Sequence, residues 1–88
     1  MSKIHSHPDV IFQNLDGETV LINLKTEEYY TLGETSTRMW TLLIEHGEVE
    51  PVISRMLAEY KVEEAVISRD LNELISDCCK LGLLYVDP

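Results

Sequence analysis

Val20-Leu21-Ile22-Asn23-Leu24-Lys25-Thr26-Glu27-Glu28-Tyr29-Tyr30-Thr31-Leu32 is the stretch that decides how this 88-residue chain folds. Two short apolar runs flank the polar break Lys25-Thr26-Glu27-Glu28, so the stretch reads as two strands joined by a turn. It runs straight into Gly33-Glu34-Thr35-Ser36-Thr37-Arg38-Met39-Trp40, the start of a helix.

Upstream, Val10-Ile11-Phe12-Gln13 is a further strand. Asp16-Gly17 separates it from the next apolar run, and an Asp-Gly pair accepts positive φ at little cost, a strong hairpin signal. Val20, Ile22 and Leu24 alternate with Leu21 and Asn23 in the second strand. Residues 29–32 form a third, rich in the bulky types that suit a pleated surface. Residues 1–9 are polar with one proline and read as a flexible tail, which leaves residues 10–88 as the domain.

The remainder is helical. Residues 35–45 put Met39, Trp40, Leu43 and Ile44 on one face. Gly47 stops that helix. Residues 50–60 carry Pro51 in a first turn, where no amide donor is needed, and gather Val52, Ile53, Met56, Leu57 and Tyr60 on one side. Residues 63–81 make the longest helix, with Ile67, Leu71, Leu74, Ile75, Cys78 and Leu81 in one stripe and Gly82 at its end. Residues 83–86 read as a short extended tail. Strands followed by helices predict an α+β domain, with the helices on one face of a three-stranded antiparallel sheet.

Composition narrows the function classes. A chain this short buries only roughly 60–65% of its unfolded surface, so its core is modest and leaves no room for an enclosed cofactor pocket. The net charge is −9, and the seven basic residues are scattered. Nucleic-acid affinity needs clustered Lys and Arg. The two cysteines, Cys78 and Cys79, are adjacent and cannot staple a secreted mini-domain. No apolar run approaches the roughly 20 residues of a membrane span, and the N-terminus lacks a signal-peptide core. The expected setting is the reduced cytoplasm.

No residue set promises catalysis. Cys78 and Cys79 diverge by about 100° on a helix and have no His or second Cys at ligand spacing, so Cys78 reads as a small core hydrophobe. His5 and His7 fall in the tail and His46 in the loop after the first helix, where all three read as solvated. The acid pairs Glu27-Glu28 and Glu63-Glu64 lack an accompanying nucleophile or glycine loop. Trp40 reads as core. Successive strand residues face opposite sides, and Tyr30 shares its face with Leu32, which places Tyr30 inside and Tyr29 outside. The last helix carries Glu63, Glu64, Asp70, Glu73 and Asp77 against Arg69 and Lys80 on its outer face. Phosphate would be repelled there, whereas a peptide carrying Lys or Arg suits Asp70, Glu73 and Asp77. A three-strand meander leaves both outer strands with unpaired backbone groups, and the third runs beside the helices.

The order and spacing of these pieces resemble the PqqD family, small domains also called RiPP recognition elements. These act in pyrroloquinoline quinone biosynthesis and in lasso-peptide and radical-enzyme peptide pathways. The resemblance spans about residues 10–84. It rests on Val20-Leu21-Ile22-Asn23-Leu24, Tyr29-Tyr30-Thr31-Leu32, the helix with Met39-Trp40, residues 52–60, and Asp70-Leu71…Leu74-Ile75…Leu81-Gly82-Leu83-Leu84. It implies a winged-helix-like fold and binding of a precursor peptide's leader segment, added as a strand to the third strand with apolar side chains against the last helix. By position, Glu28, Tyr29, Tyr30 and Thr31 would pair with the leader, and Arg69, Asp70, Glu73, Leu74 and Asp77 would supply helix contacts. It further implies delivery to a radical SAM enzyme or a leader peptidase. The chain departs from the family at Glu27, where Gly is frequent, at Gly33, where Asn is frequent, and at Cys78, where a larger apolar residue is usual.

The resulting expectation is a non-catalytic peptide chaperone with no cofactor, no metal, no nucleic acid and no membrane partner. Its open strands also admit a homodimer. The alternative is a winged-helix transcriptional regulator or protein-interaction module. A precursor gene beside this one favours the first, and operator palindromes favour the second.

Overall fold

A computed structural model describes residues 3–87. The chain runs β1 (Lys3–Ser6), β2 (Val10–Leu15), β3 (Glu18–Asn23), β4 (Glu28–Leu32), α1 (Glu34–His46), α2 (Val49–Glu59), α3 (Glu64–Lys80) and β5 (Leu84–Asp87). The antiparallel meander β2-β3-β4 forms one sheet, and β1 pairs with β5 in a second. The expected α+β class, three-stranded sheet and three helices are all present.

Local chemistry explains each boundary. In the β2–β3 hairpin, Leu15 faces Glu18 across a two-residue loop, with Asp16 at φ 52° and Gly17 at φ 83°. Positive φ at both centres marks the type I′ turn, whose twist matches that of the flanking strands. Thr19, Leu21 and Asn23 point inward from β3 and are buried, while Val20 and Ile22 face outward. Helix α1 ends on Gly47, at φ 70°, whose N–H donates to the Leu43 carbonyl. Helix α3 ends in a Schellman motif: Leu83 N–H donates to the Cys78 carbonyl and Gly82 N–H to that of Cys79, with Gly82 at φ 72°.

The core lies between the inner sheet face and the helices, around Leu21, Trp40, Leu43, Val52, Met56 and Leu71. Trp40 is buried as expected, and Phe12 meets it edge to face at 5.3 Å between ring centroids. Cys78 is buried on the apolar stripe of α3, and its thiol is pushed up to about 11, chiefly by burial. Arg38 of α1 grips Glu59 of α2 through two bonds of 2.7 and 2.6 Å, which holds the Glu59 carboxyl below its usual range.

Two expectations need correction. Lys3–Ser6 is not a loose tail but a strand, with Lys3 facing Asp87 and Ile4 facing Val86. Ile4 is buried, and its N–H donates to the Gly47 carbonyl. One apolar residue among polar neighbours gives no local strand signal, and its partner lies at the other end of the chain. Met1 and Ser2 of that tail, and Pro88 at the domain's far end, lie outside the described residues. His46 is the last residue of α1 rather than a solvated loop residue, and its Nε2 is buried without a hydrogen-bond partner. His5 sits in β1, with its ring centroid 5.2 Å from that of Tyr85.

Leu71 is 0% exposed. Leu71→Ala is expected to cost about 2–4 kcal/mol of folding free energy, read as a lowered melting temperature; an unchanged midpoint would mean the face of α3 is misassigned. Glu27 holds φ at 62°, a conformation with a steric cost for any residue bearing a Cβ. Glu27→Gly is therefore expected to stabilise by about 0.5–1 kcal/mol, measured as the shift in urea midpoint.

Candidate peptide-binding site

Strand β4 is an outer strand. β3 borders it on one side, and among the described residues no strand borders it on the other. Alternate backbone N–H and C=O groups therefore point outward along Glu28–Leu32. Tyr29 is 71% exposed, whereas Tyr30 turns inward beside Leu21. The Tyr30 phenol is held above its ordinary value, first by desolvation and then by the nearby Glu28 carboxylate. Glu28 and Thr31 are exposed.

Two polar clusters fix this strand. At its start, the buried Asn23 side chain accepts from Lys25 N–H at 3.0 Å and Thr26 N–H at 3.3 Å, closing the β3–β4 turn. The same side chain donates through Nδ2 to the Leu81 carbonyl at 3.0 Å, which ties the turn to the end of α3. Gly82 permits that approach, because a Cβ there would meet Asn23 Nδ2 at 3.1 Å. At the other end, Thr19 Oγ1 donates to Thr37 Oγ1 at 2.9 Å, and Thr37 Oγ1 donates to the Leu32 carbonyl at 3.2 Å. Strand β4 is thus held against both α1 and β3.

Just past β4, a groove of about 290 Å³ opens between the first turns of α1 and the flank of α3. Thr35, Ser36, Met39, Asp70, Glu73, Leu74 and Asp77 line it. Four of the helix residues expected from the sequence therefore meet in one place. Arg69 does not line the groove: its Nε lies 3.3 Å from Asp70 Oδ1, and its side chain is 66% exposed. Thr35, Ser36 and Met39 were not expected here. Met39 reads from the sequence as plain core, and nothing local reveals that its edge floors a groove. A larger, apolar groove of about 420 Å³ lies on the opposite flank of α3, between Ile4, Val49, Ile75 and Val86.

Among the described residues no three His, Cys, Asp or Glu side chains converge to hold a metal ion, and no helix is long and apolar enough to cross a membrane.

The family described as Coenzyme PQQ synthesis protein D (PqqD) matches residues 18–84 of this chain. No curated protein matches it. Among solved structures, TbiB1 in complex with the TbiA(beta) leader peptide is similar at a TM-score of 0.87 and 30% identity, covering 94% of this chain and 99% of the other. A lasso peptide synthetase B1 complexed with the leader peptide shares the fold at a TM-score of 0.86 and 22% identity, over 94% of this chain and 98% of the other.

Asn23→Ala leaves the turn amides and the Leu81 carbonyl without their partner. It is expected to cost about 2–3 kcal/mol and to speed amide hydrogen exchange along β4 more than in α2. Uniform exchange across the chain would show that Asn23 supports the fold without particularly holding β4.

Proposed function

This chain belongs to the PqqD family, and from that premise we propose that it captures the leader segment of a ribosomally made precursor peptide and presents it to the enzyme that modifies the peptide. The leader adds as a further strand along the open edge of β4. Main-chain hydrogen bonds set its register, and alternate side chains turn toward the groove beside α3. Glu28, Tyr29, Tyr30 and Thr31 form the pairing row, and Asp70, Glu73, Leu74 and Asp77 supply the groove contacts; Arg69 lies outside the groove, against Asp70.

The observation that carries this reading is the free edge of β4 ending at a groove, in a fold shared with a leader-peptide complex. The protein performs no chemistry of its own. Its contribution is to raise the leader's effective concentration near an enzyme, such as a radical SAM enzyme or a leader peptidase. The acids of the α3 flank work against a regulator that docks this helix on DNA, because phosphate and carboxylate repel.

Isothermal calorimetry with a synthetic leader, taken from a precursor gene where one lies beside this gene, tests the assignment. Tyr29→Asp and Asp70→Lys are each expected to weaken binding by about tenfold while the helical circular dichroism stays intact. Unchanged affinity in both variants overturns it.

A further inference from the structure

We propose that the groove between α1 and α3 selects a lysine or arginine of the captured peptide; this rests on the peptide-capture reading above and names what that site discriminates. The groove has two kinds of wall. Met39, 3% exposed, and the half-buried Leu74 make an apolar floor. Asp70, Glu73 and Asp77 stand along one side. Spaced i, i+3 and i+7, they fall within about 60° of one another on the helix, so their charges share one stripe.

That stripe is under-neutralised. Among the described residues, the only ion pair it makes is Asp70 with Arg69. Arg69 itself does not line the groove, and its side chain is 66% exposed. Neither Glu73 nor Asp77 pairs with a cation among the described residues. The three carboxylates do not converge enough to chelate a metal ion.

A purely apolar ligand side chain would strip water from these carboxylates and return nothing. A lysine or arginine lays its methylenes on Met39 and Leu74 and keeps its charged end among the acids. The reach is adequate. A strand added to β4 lies about 4.8 Å away. The groove begins at Thr35, three residues beyond the Leu32 end of β4, at most roughly 11 Å along the chain. The selected cation is thus an inward-facing peptide residue near the Leu32 end. Its neighbours in sequence face out, on the side of Tyr29.

A random peptide library displayed on phage, selected at about 50 mM salt, tests this. Wild-type protein and an Asp70→Lys, Glu73→Lys, Asp77→Lys variant are selected in parallel, together with single Glu73→Lys protein in case the triple variant loses its helical dichroism. Wild type is expected to enrich peptides sharing Lys or Arg at one position, and the reversed proteins to enrich Asp or Glu there. Replacing that lysine by norleucine in the best wild-type peptide is expected to weaken binding by about tenfold, with the gap closing near about 500 mM salt. Identical peptides from wild-type and reversed proteins, or equal affinity for lysine and norleucine, overturn the selectivity while leaving peptide capture standing. If no protein enriches any peptide, capture itself is overturned, and the selectivity with it.

Discussion

The amide of Asn23 is the contact on which the arrangement depends. It is 4% exposed, at the last position of β3, and it serves two elements at once. Its oxygen gathers the N–H groups of the following turn, and its nitrogen reaches the carbonyl at the end of α3. The start of β4 and the C-terminus of α3 are consequently set by one side chain. An edge strand held only by its neighbour could slide or fray. Here it is anchored at one end by Asn23 and at the other by the hydroxyl relay Thr19–Thr37–Leu32. The open edge and the groove are thereby held in a defined relation, which under the capture proposed above lowers the ordering cost of binding.

The parts of this design written in local chemistry were legible in the sequence. Asp16-Gly17 gave the hairpin, since few residue pairs accept positive φ twice in succession. The alternation around Leu21 located β3, and Leu32 told which of the Tyr29–Tyr30 pair turns in, because side chains two apart share a face; that Thr19, Leu21 and Asn23 are the inner face of β3 was not legible, since apolar Val20 and Ile22 lie on the other. Gly47 and Gly82 marked the ends of α1 and α3 by the same left-handed geometry. The edge proposed for the peptide rests on the resemblance to the PqqD family rather than on strand spacing, since β2 is an outer strand as well.

What remained illegible depends on distant pairing. Strand β1 exists because β5 comes back to meet it and because Ile4 completes the packing beside Gly47. Neither fact leaves a pattern within residues 3–6. The groove was half legible: the acids of α3 stood out as a charged face, but their opposite wall comes from α1. Met39 shows why. A residue on an apolar helical stripe can be deep in the core and still offer one edge to a groove, and the difference is set by the tilt of a neighbouring helix rather than by the stripe itself.

An open edge strand is also a hazard, since a second copy offers the same unpaired groups. Under the capture proposed above, charge separates the wanted guest from the unwanted one. Glu27 and Glu28 stand at the entrance to β4, and Asp70, Glu73 and Asp77 flank its far end. A second copy brings its own net charge of −9, so edge-to-edge pairing sets acids against acids at short range, where screening by salt is weakest. A cationic peptide meets the same groups with the opposite sign. Glu27 illustrates the trade: glycine would suit its backbone better, yet a carboxylate at that corner adds to the field that discourages self-association. Under the capture proposed above, the acidity that sets this chain against nucleic acid is also the property that works against filling the strand edge with its own kind.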